Sequence, residues 1–249
     1  MSTFSQLFNV SQSGMRLNML DLDNISNNLA NINTDGYKAT RLNFQELLNG
    51  TTMEGATLAG QQLDEEQGSL KTTTRNMDWA ISGSGYFAIQ MQNGEIAYTR
   101  NGSFDLDANH NIVTTEGQPL VWNGTLPTDA EQVEIDTDGY VTYRLPDDET
   151  SVRRTAGQVS LYRFTNSSGL EARGSNLWVA TDASGAAIGG EPNTNGLGST
   201  VGFTLENSNV DLSEQFSHML VVQRAFQMTS RALTQSDSML SLAIQMRQA

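Results

Sequence analysis

Residues 211–247 read DLSEQFSHMLVVQRAFQMTSRALTQSDSMLSLAIQMR, and the spacing of their apolar side chains sets the architecture of the chain. Leu212, Met219, Phe226, Leu233 and Leu240 fall seven residues apart, with Val222, Thr229, Ser236 and Ala243 three residues after the last four. That is the heptad stripe of one long amphipathic helix. Asp211, with Glu214 three residues on, offers a side-chain oxygen to the first helical amides, and no Gly or Pro interrupts residues 212–247. At about 1.5 Å per residue such a helix runs roughly 55 Å, longer than a compact domain of this size is wide.

A matching stripe opens the chain. Phe8, Met15, Leu22 and Leu29 are seven apart, with Phe4, Ser11, Asn18, Ile25 and Ile32 in the second position of each repeat. The fold class this predicts is α+β: long N- and C-terminal helices pairing as a coiled-coil-like stalk, and a central all-β domain of short antiparallel strands. Polar residues at Ser11, Asn18, Thr229 and Ser236 weaken any isolated two-stranded coil and suit packing against several neighbours, including other copies of the chain. The residues expected to carry assembly are Phe8, Met15, Leu22, Ile25, Leu29, Ile32, Met219, Phe226, Leu233 and Leu240.

Composition narrows the alternatives. Fourteen basic against 28 acidic residues give a formal charge of −14, which argues against a nucleic-acid backbone or an anionic membrane as the partner, and no direct membrane insertion is expected. Cysteine is absent, so no disulfide, thiolate metal site or cysteine nucleophile is available. The first residues lack the basic start, apolar stretch and cleavage signal of an ordinary secretory leader, and no stretch of about eighteen apolar residues suggests a membrane span. If the protein leaves the cytoplasm, another export route is expected.

Between the helices the texture changes. Asparagines at 24, 27, 28, 31 and 33 surround Ile25, Leu29 and Ile32, and Asp35-Gly36 supplies a turn that ends the helix near Asn33. Residues 45–76, rich in Gly, Thr and Gln, read as an extended connector with short strands near Leu70–Thr74. From Met77 to Leu205 the pattern is short strands and tight turns. Tyr86–Met91 and Glu95–Arg100 flank Asn93-Gly94, a hairpin signal; Ile112–Thr115, Val121–Trp122, Tyr140–Tyr143, Val159–Phe164 and Leu177–Thr181 are further strand candidates. Trp79, Trp122 and Trp178 are expected in the core, and Ala183–Gly202 as a long surface loop. The domain bounds are 1–44, 45–76, 77–205 and 206–249.

Three patterns suggest chemistry and fail on their context. Gly83-Ser-Gly85-Tyr-Phe-Ala88 has dinucleotide-turn spacing but leads into a strand pattern where a helix is needed. Asp105, Asp107, Asn109, Asn111 and Glu116 stand at calcium-loop spacing, but His110 occupies the position that wants Gly. Of the only histidines, His110 lies in that candidate loop and His218 on a helix with no acidic or serine partner at local spacing, so nothing supports a catalytic triad, and a hydrolytic carboxylate pair cannot be read from spacing alone. No catalytic residue, cofactor or metal is expected.

Ser26 through Lys38 (SNNLANINTDGYK) closely match a pattern S-N-N-L-A-N-x-N-T-x-G-[YF]-K, and Leu205–Asp211 with Gln223–Phe226 form a comparable C-terminal signature. Ala80–Phe87 and Tyr98–Phe104 add central motifs. On these residues the chain resembles the flagellar rod and hook axial proteins over nearly its whole length. The signature positions are Asn27, Asn28, Leu29, Asn31, Asn33, Gly36, Tyr37, Lys38, Ser208, Asn209, Val210, Asp211, Gln223 and Arg224. Asn176–Gly185, Gly196-Leu-Gly198 and the chain length are more similar to the family's distal-rod members than to its proximal-rod members, and hook members are usually larger. The resemblance implies a structural subunit that polymerises helically with itself through its terminal helices into a hollow torque-transmitting shaft, with other rod proteins, hook protein and the flagellar type III export apparatus as partners. It implies a place in the basal body outside the cytoplasmic membrane. A calcium-binding adhesive module and a cell-wall hydrolase are the alternatives, distinguished by calcium-dependent folding and by peptidoglycan turnover.

Overall fold

A computed structural model describes residues 2–49, 52–146 and 152–248. The chain divides into a helical unit, Met1–Ile32, Ala39–Asp64 and Val210–Ala249, and a β unit, Asn33–Lys38 and Glu65–Asn209.

In the helical unit, α1 (Ser2–Ala30) is followed by a long hairpin of β1 (Thr40–Asn49) and β2 (Thr52–Leu63), antiparallel from Thr40↔Leu63 to Asn49↔Thr52 with two register shifts. The second helix of the unit is α2 (Leu212–Gln248). Asp211 caps it: its Oδ1 accepts from the amides of Ser213 at 2.7 Å and Glu214 at 2.9 Å, satisfying donors that have no partner within the helix.

The expected coiled-coil-like stalk is not formed. Helix α1 packs against the β1–β2 hairpin as well as against α2. Its buried surface is therefore wider than a heptad seam and includes Ser11, Asp21, Asn24, Ile25 and Asn28. Leu212, first residue of the expected α2 seam, is 46% exposed. Small residues let the two helices approach: a Cβ on Gly14 would lie 3.7 Å from Thr229 Cγ2, and Ser11 and Ser236 are buried. The hydroxyls of Thr229 and Ser236 donate to the carbonyls of Ala225 and Ala232 on their own helix, so their burial leaves no donor stranded. Gly55 brings the hairpin close to α1, because a Cβ there would sit 2.2 Å from Ser13 Oγ.

Asparagine side chains join α1 to β1. The Nδ2 groups of Asn24 and Asn28 donate to the Thr40 carbonyl at 2.7 and 2.9 Å, and Asn28 Oδ1 accepts from the Thr40 amide at 3.1 Å. Thr40 Oγ1 donates to Asn24 Oδ1 at 2.7 Å, and Asn28 Nδ2 also reaches Gln215 Oε1 on α2 at 3.3 Å. A carboxamide carries both a donor and an acceptor, so Asn28 pairs with Thr40 as a neighbouring strand would.

The β unit contains β3 (Leu70–Thr72), β4 (Trp79–Ser82), β5 (Phe87–Gln90), β6 (Ile96–Thr99), β7 (Phe104–Leu106), β8 (Ile112–Thr114), β9 (Asn123–Gly124), β10 (Glu131–Ile135), β11 (Tyr140–Arg144), β12 (Arg154–Gln158), β13 (Leu161–Arg163), β14 (Glu171–Gly174), β15 (Leu177–Val179), β16 (Ile188–Gly190), β17 (Ser199–Gly202) and β18 (Thr204–Glu206). Two four-stranded antiparallel sheets run in the orders β14-β15-β6-β5 and β10-β11-β12-β9, and the other strands form two-stranded ladders. The expected hairpin at Asn93-Gly94 joins β5 to β6, with Gly94 at φ 82°. Trp79, Phe87 and Phe104 are fully buried and meet edge-to-face or tilted at 5.3–5.4 Å between ring centroids. Trp122 packs on the same core and Trp178 on a smaller cluster with Tyr86 and Tyr98. The stretch expected as a surface loop, Ala183–Gly202, contains β16 and β17; β17 returns to pair with β4, Thr200 opposite Ile81.

Asn28→Ala removes the acceptor of a buried backbone amide and is expected to cost about 2–4 kcal/mol in urea unfolding followed by the helical circular dichroism signal. Asn28→Asp is expected not to rescue it, because a carboxylate oxygen would face the Thr40 carbonyl.

Candidate functional site

The signature segments of the β unit converge on one carboxylate. Glu206 ends β18, opposite Leu70 of β3, and its side chain is 0% exposed. Its Oε1 accepts from Lys38 Nζ at 2.6 Å and from the Gly68 amide at 3.0 Å, and its Oε2 accepts from Arg100 Nη1 at 3.3 Å. Burying an ion is costly unless it is paired and hydrogen-bonded, and here all three charges are. The second cation beyond neutrality is met by carbonyls: Lys38 also donates to Glu66 O at 2.6 Å, and Arg100 Nη2 to Gly83 O at 2.7 Å. The Arg100 guanidinium lies 5.4 Å from the centre of the Tyr86 ring. Burial pushes the Tyr86 hydroxyl above its ordinary pKa, with Arg100 opposing.

Backbone contacts fix the same residues. The Gly36 amide donates to the Glu206 carbonyl at 2.6 Å. Gly36 has φ 70°, and a Cβ there would sit 2.4 Å from the Asn101 amide nitrogen, so both conformation and space call for glycine. Asn209 donates through its amide to Tyr37 O at 3.4 Å and through Nδ2 to Glu66 O at 3.0 Å. Segments 36–38, 66–68, 81–83, 100–101 and 206–209 are thereby held at one point.

Of the signature residues, Gly36, Tyr37, Lys38, Ser208 and Asn209 lie in the β unit. Gly36 and Lys38 are buried; Tyr37, Ser208 and Asn209 are half-buried. In the helical unit Asn28 is 1% exposed and Val210 is buried, Leu29 and Asn31 are half-buried, and Asn27, Asp211, Gln223 and Arg224 are exposed; Asn33, also exposed, belongs to the β unit. Asn31 Nδ2 donates to Asn27 O at 2.9 Å, just past the end of α1. Among the residues expected to carry assembly, Ile25 is buried, Phe8 is exposed, and Met15, Leu22, Leu29, Ile32, Met219, Phe226 and Leu233 are half-buried; the side chain of Leu240 lies outside the described residues. Sequence reading missed Glu206 and Arg100 as centres of the cluster. The available signal was an acid inside the apolar run Thr-Leu-Glu and an arginine within Tyr-Thr-Arg-Asn-Gly.

The patterns that hinted at chemistry serve internal geometry. Both Asp107 oxygens are taken within its own loop, Oδ1 by the amides of Asn109 and Asn111 at 2.8 Å and Oδ2 by Asn111 Nδ2 at 3.0 Å. Those bonds, chiefly from Asn111, hold its carboxyl below the usual range, and the loop closes the β7–β8 hairpin. Gly83 and Gly85 have φ 111° and 138° and lead into β5. His218 faces Asp21 of α1, Nε2 to Oδ2 at 3.3 Å; burial raises the Asp21 carboxyl pKa, and His218 opposes that shift.

A site whose charges are spent on fixing its own chain passages, in a fold with long terminal helices, defines a structural subunit. Comparison with known proteins names the family. Residues 8–38 match the family described as flagella basal body rod protein, residues 80–143 the flagellar hook protein FlgE/F/G D1 domain, and residues 202–246 the flagellar basal body rod FlgEFG protein C-terminal family. The chain is 36% identical to the flagellar basal-body rod protein FlgG of Buchnera aphidicola subsp. Acyrthosiphon pisum over 250 residues, 93% of this chain and 95% of that one. It is 35% identical to FlgG of Caulobacter vibrioides over 262 residues, 97% and 99% of the two chains, and 36% identical to FlgG of Bacillus subtilis over 258 residues, 94% and 96%. The chain belongs to the FlgG family of flagellar basal-body rod proteins.

Glu206→Gln leaves two buried cations without a counter-charge and is expected to cost about 3–5 kcal/mol. Lys38→Met leaves a neutral Arg100–Glu206 pair and should cost less. Thermal unfolding followed by near-ultraviolet circular dichroism gives the ranking, and the reverse order would contradict the charge accounting.

Proposed function

We infer that the chain acts as a structural subunit of the flagellar basal-body rod, assembling with copies of itself through the outward faces of its terminal helices. One observation supports this beyond family membership. While Gln215, Val222 and Ser236 of α2 are buried, the helix exposes a second apolar face: Leu212, Phe216, Leu220, Val221 and Met228, the last two 63% and 65% exposed. Phe8 and Met19 of α1 are exposed too. Exposed apolar side chains along one helix of a subunit from an assembly-forming family are what a neighbouring copy would cover. In this reading Ile25, Leu29, Phe226 and Leu233 hold the helices in place, and the outward residues with Phe8 meet the neighbours. Load then passes from copy to copy through packed side chains in a hollow shaft, with no chemical step.

Finer assignments belong to the same proposal. Other rod proteins and hook protein are the partners, and export proceeds through the flagellar type III apparatus. The subunit sits in the basal body, in the periplasm where the host has an outer membrane. Within the family the distal-rod type is proposed; a proximal-rod or hook-like paralogue is the alternative.

Met228→Glu is expected to abolish sedimentable polymer in concentrated protein while thermal unfolding of the subunit is unchanged within about 0.5 kcal/mol, as for an exposed site. Leu233→Asp, on the half-buried face, is expected to block polymer while the β unit stays folded. Polymer formed normally by Met228→Glu would remove the outward face from the interface.

A further inference from the structure

The helical unit contains a cleft of about 460 Å³ between α1, β1 and the first turns of α2. Its charged lining is Asp21, Arg41, Glu214 and His218, over a floor that includes Asn24 and Gln215. Arg41 is already engaged, 3.2 Å from Glu214 and 3.6 Å from Asp64. Asp21 is different. It is 7% exposed, and the group facing it is the imidazole of His218, 49% exposed, with Nε2 3.3 Å from Oδ2. A buried carboxylate met by a single imidazole nitrogen keeps acceptor capacity for a full cation, and a guanidinium can bind it bidentately.

The chain offers such a cation on another surface. Arg224 and Arg231, seven residues and roughly 10 Å apart along α2, are both exposed and lie with Leu220 and Met228 on the face away from buried Gln215, Val222 and Ser236. Among the described residues neither arginine has an acidic partner.

We propose that this cleft is a socket for a second copy of the chain, whose outward α2 face inserts Arg224 or Arg231 toward Asp21 while Leu220 and Met228 cover the rim. This rests on the rod-subunit reading and specifies its contact. Socket and plug occupy different positions on one molecule, so the contact is head-to-tail and propagates into a filament where a self-complementary patch would close as a dimer.

The natural absence of cysteine makes a clean test possible. Ser217 lines the cleft and Gln227 lies between the two arginines on the outward face; both are exposed. In a Ser217→Cys/Gln227→Cys double variant the two thiols stand about 15 Å apart along one helix, beyond the reach of a disulfide, so bonding can occur only between copies. Oxidation of the polymer is expected to give a ladder of covalent multimers that neither single variant gives. In parallel, Asp21→Asn is expected to raise the critical concentration for polymerisation at least about tenfold. His218→Gln, which removes the internal partner but keeps the carboxylate, should not raise it. Polymer without the ladder, or an unchanged critical concentration for Asp21→Asn, overturns the socket and leaves the subunit reading standing. A natural chain that forms no polymer at any concentration removes both.

Discussion

The Glu206 carboxylate is the constraint on which the β unit depends. One buried anion takes two cations and a backbone amide, and its own carbonyl takes a fourth donor from Gly36. Those groups come from four stretches of chain: the 33–38 passage with Gly36 and Lys38, the last strand at Glu206, the turn at Gly68 and the end of β6 at Arg100. An apolar contact of the same area would tolerate small slips. A buried ion does not, because losing one partner strands a charge in a medium that solvates it poorly. That intolerance suits a protein whose task is to hold position under load.

A second polar device works in the helical unit. The asparagines of α1 serve as a substitute strand edge for Thr40, which fixes where the β1–β2 hairpin begins against the helix. Since α1 packs against both the hairpin and α2, its buried surface is shared between them and the helices do not form a simple two-helix stalk. The outward surface then falls mainly to α2, and its apolar residues with two arginines become the surface on which assembly is proposed.

Legibility in the sequence tracked the range of the interactions. Local signals were readable: the Asp211 cap and the Asn93-Gly94 hairpin each depend on residues within a few positions of one another, whereas α1 ends at Ala30, short of the expected Asn33. The heptad stripes located both helices and the inward side of α2. Their partner was not readable, because spacing tells which residues turn inward and not what they meet. The hairpin at 40–63 lacked a sustained alternation, since its register shifts twice and Gly55 serves close approach to α1. For the site, Gly36 and Lys38 stood out by family pattern, whereas Glu206 and Arg100 form a pair 106 residues apart that only the folded chain brings together.

Amide hydrogen exchange on the natural chain asks whether the Glu206 cluster is as fixed as the β core. If it is, the amides of Gly36 and Gly68, which donate to Glu206, exchange as slowly as those of Phe87–Gln90 in β5, through opening of the whole unit, and this is the expected result. Exchange of Gly36 and Gly68 at the rates of exposed turns, with β5 still protected, would show that the cluster opens on its own and would contradict its role as the constraint on the unit.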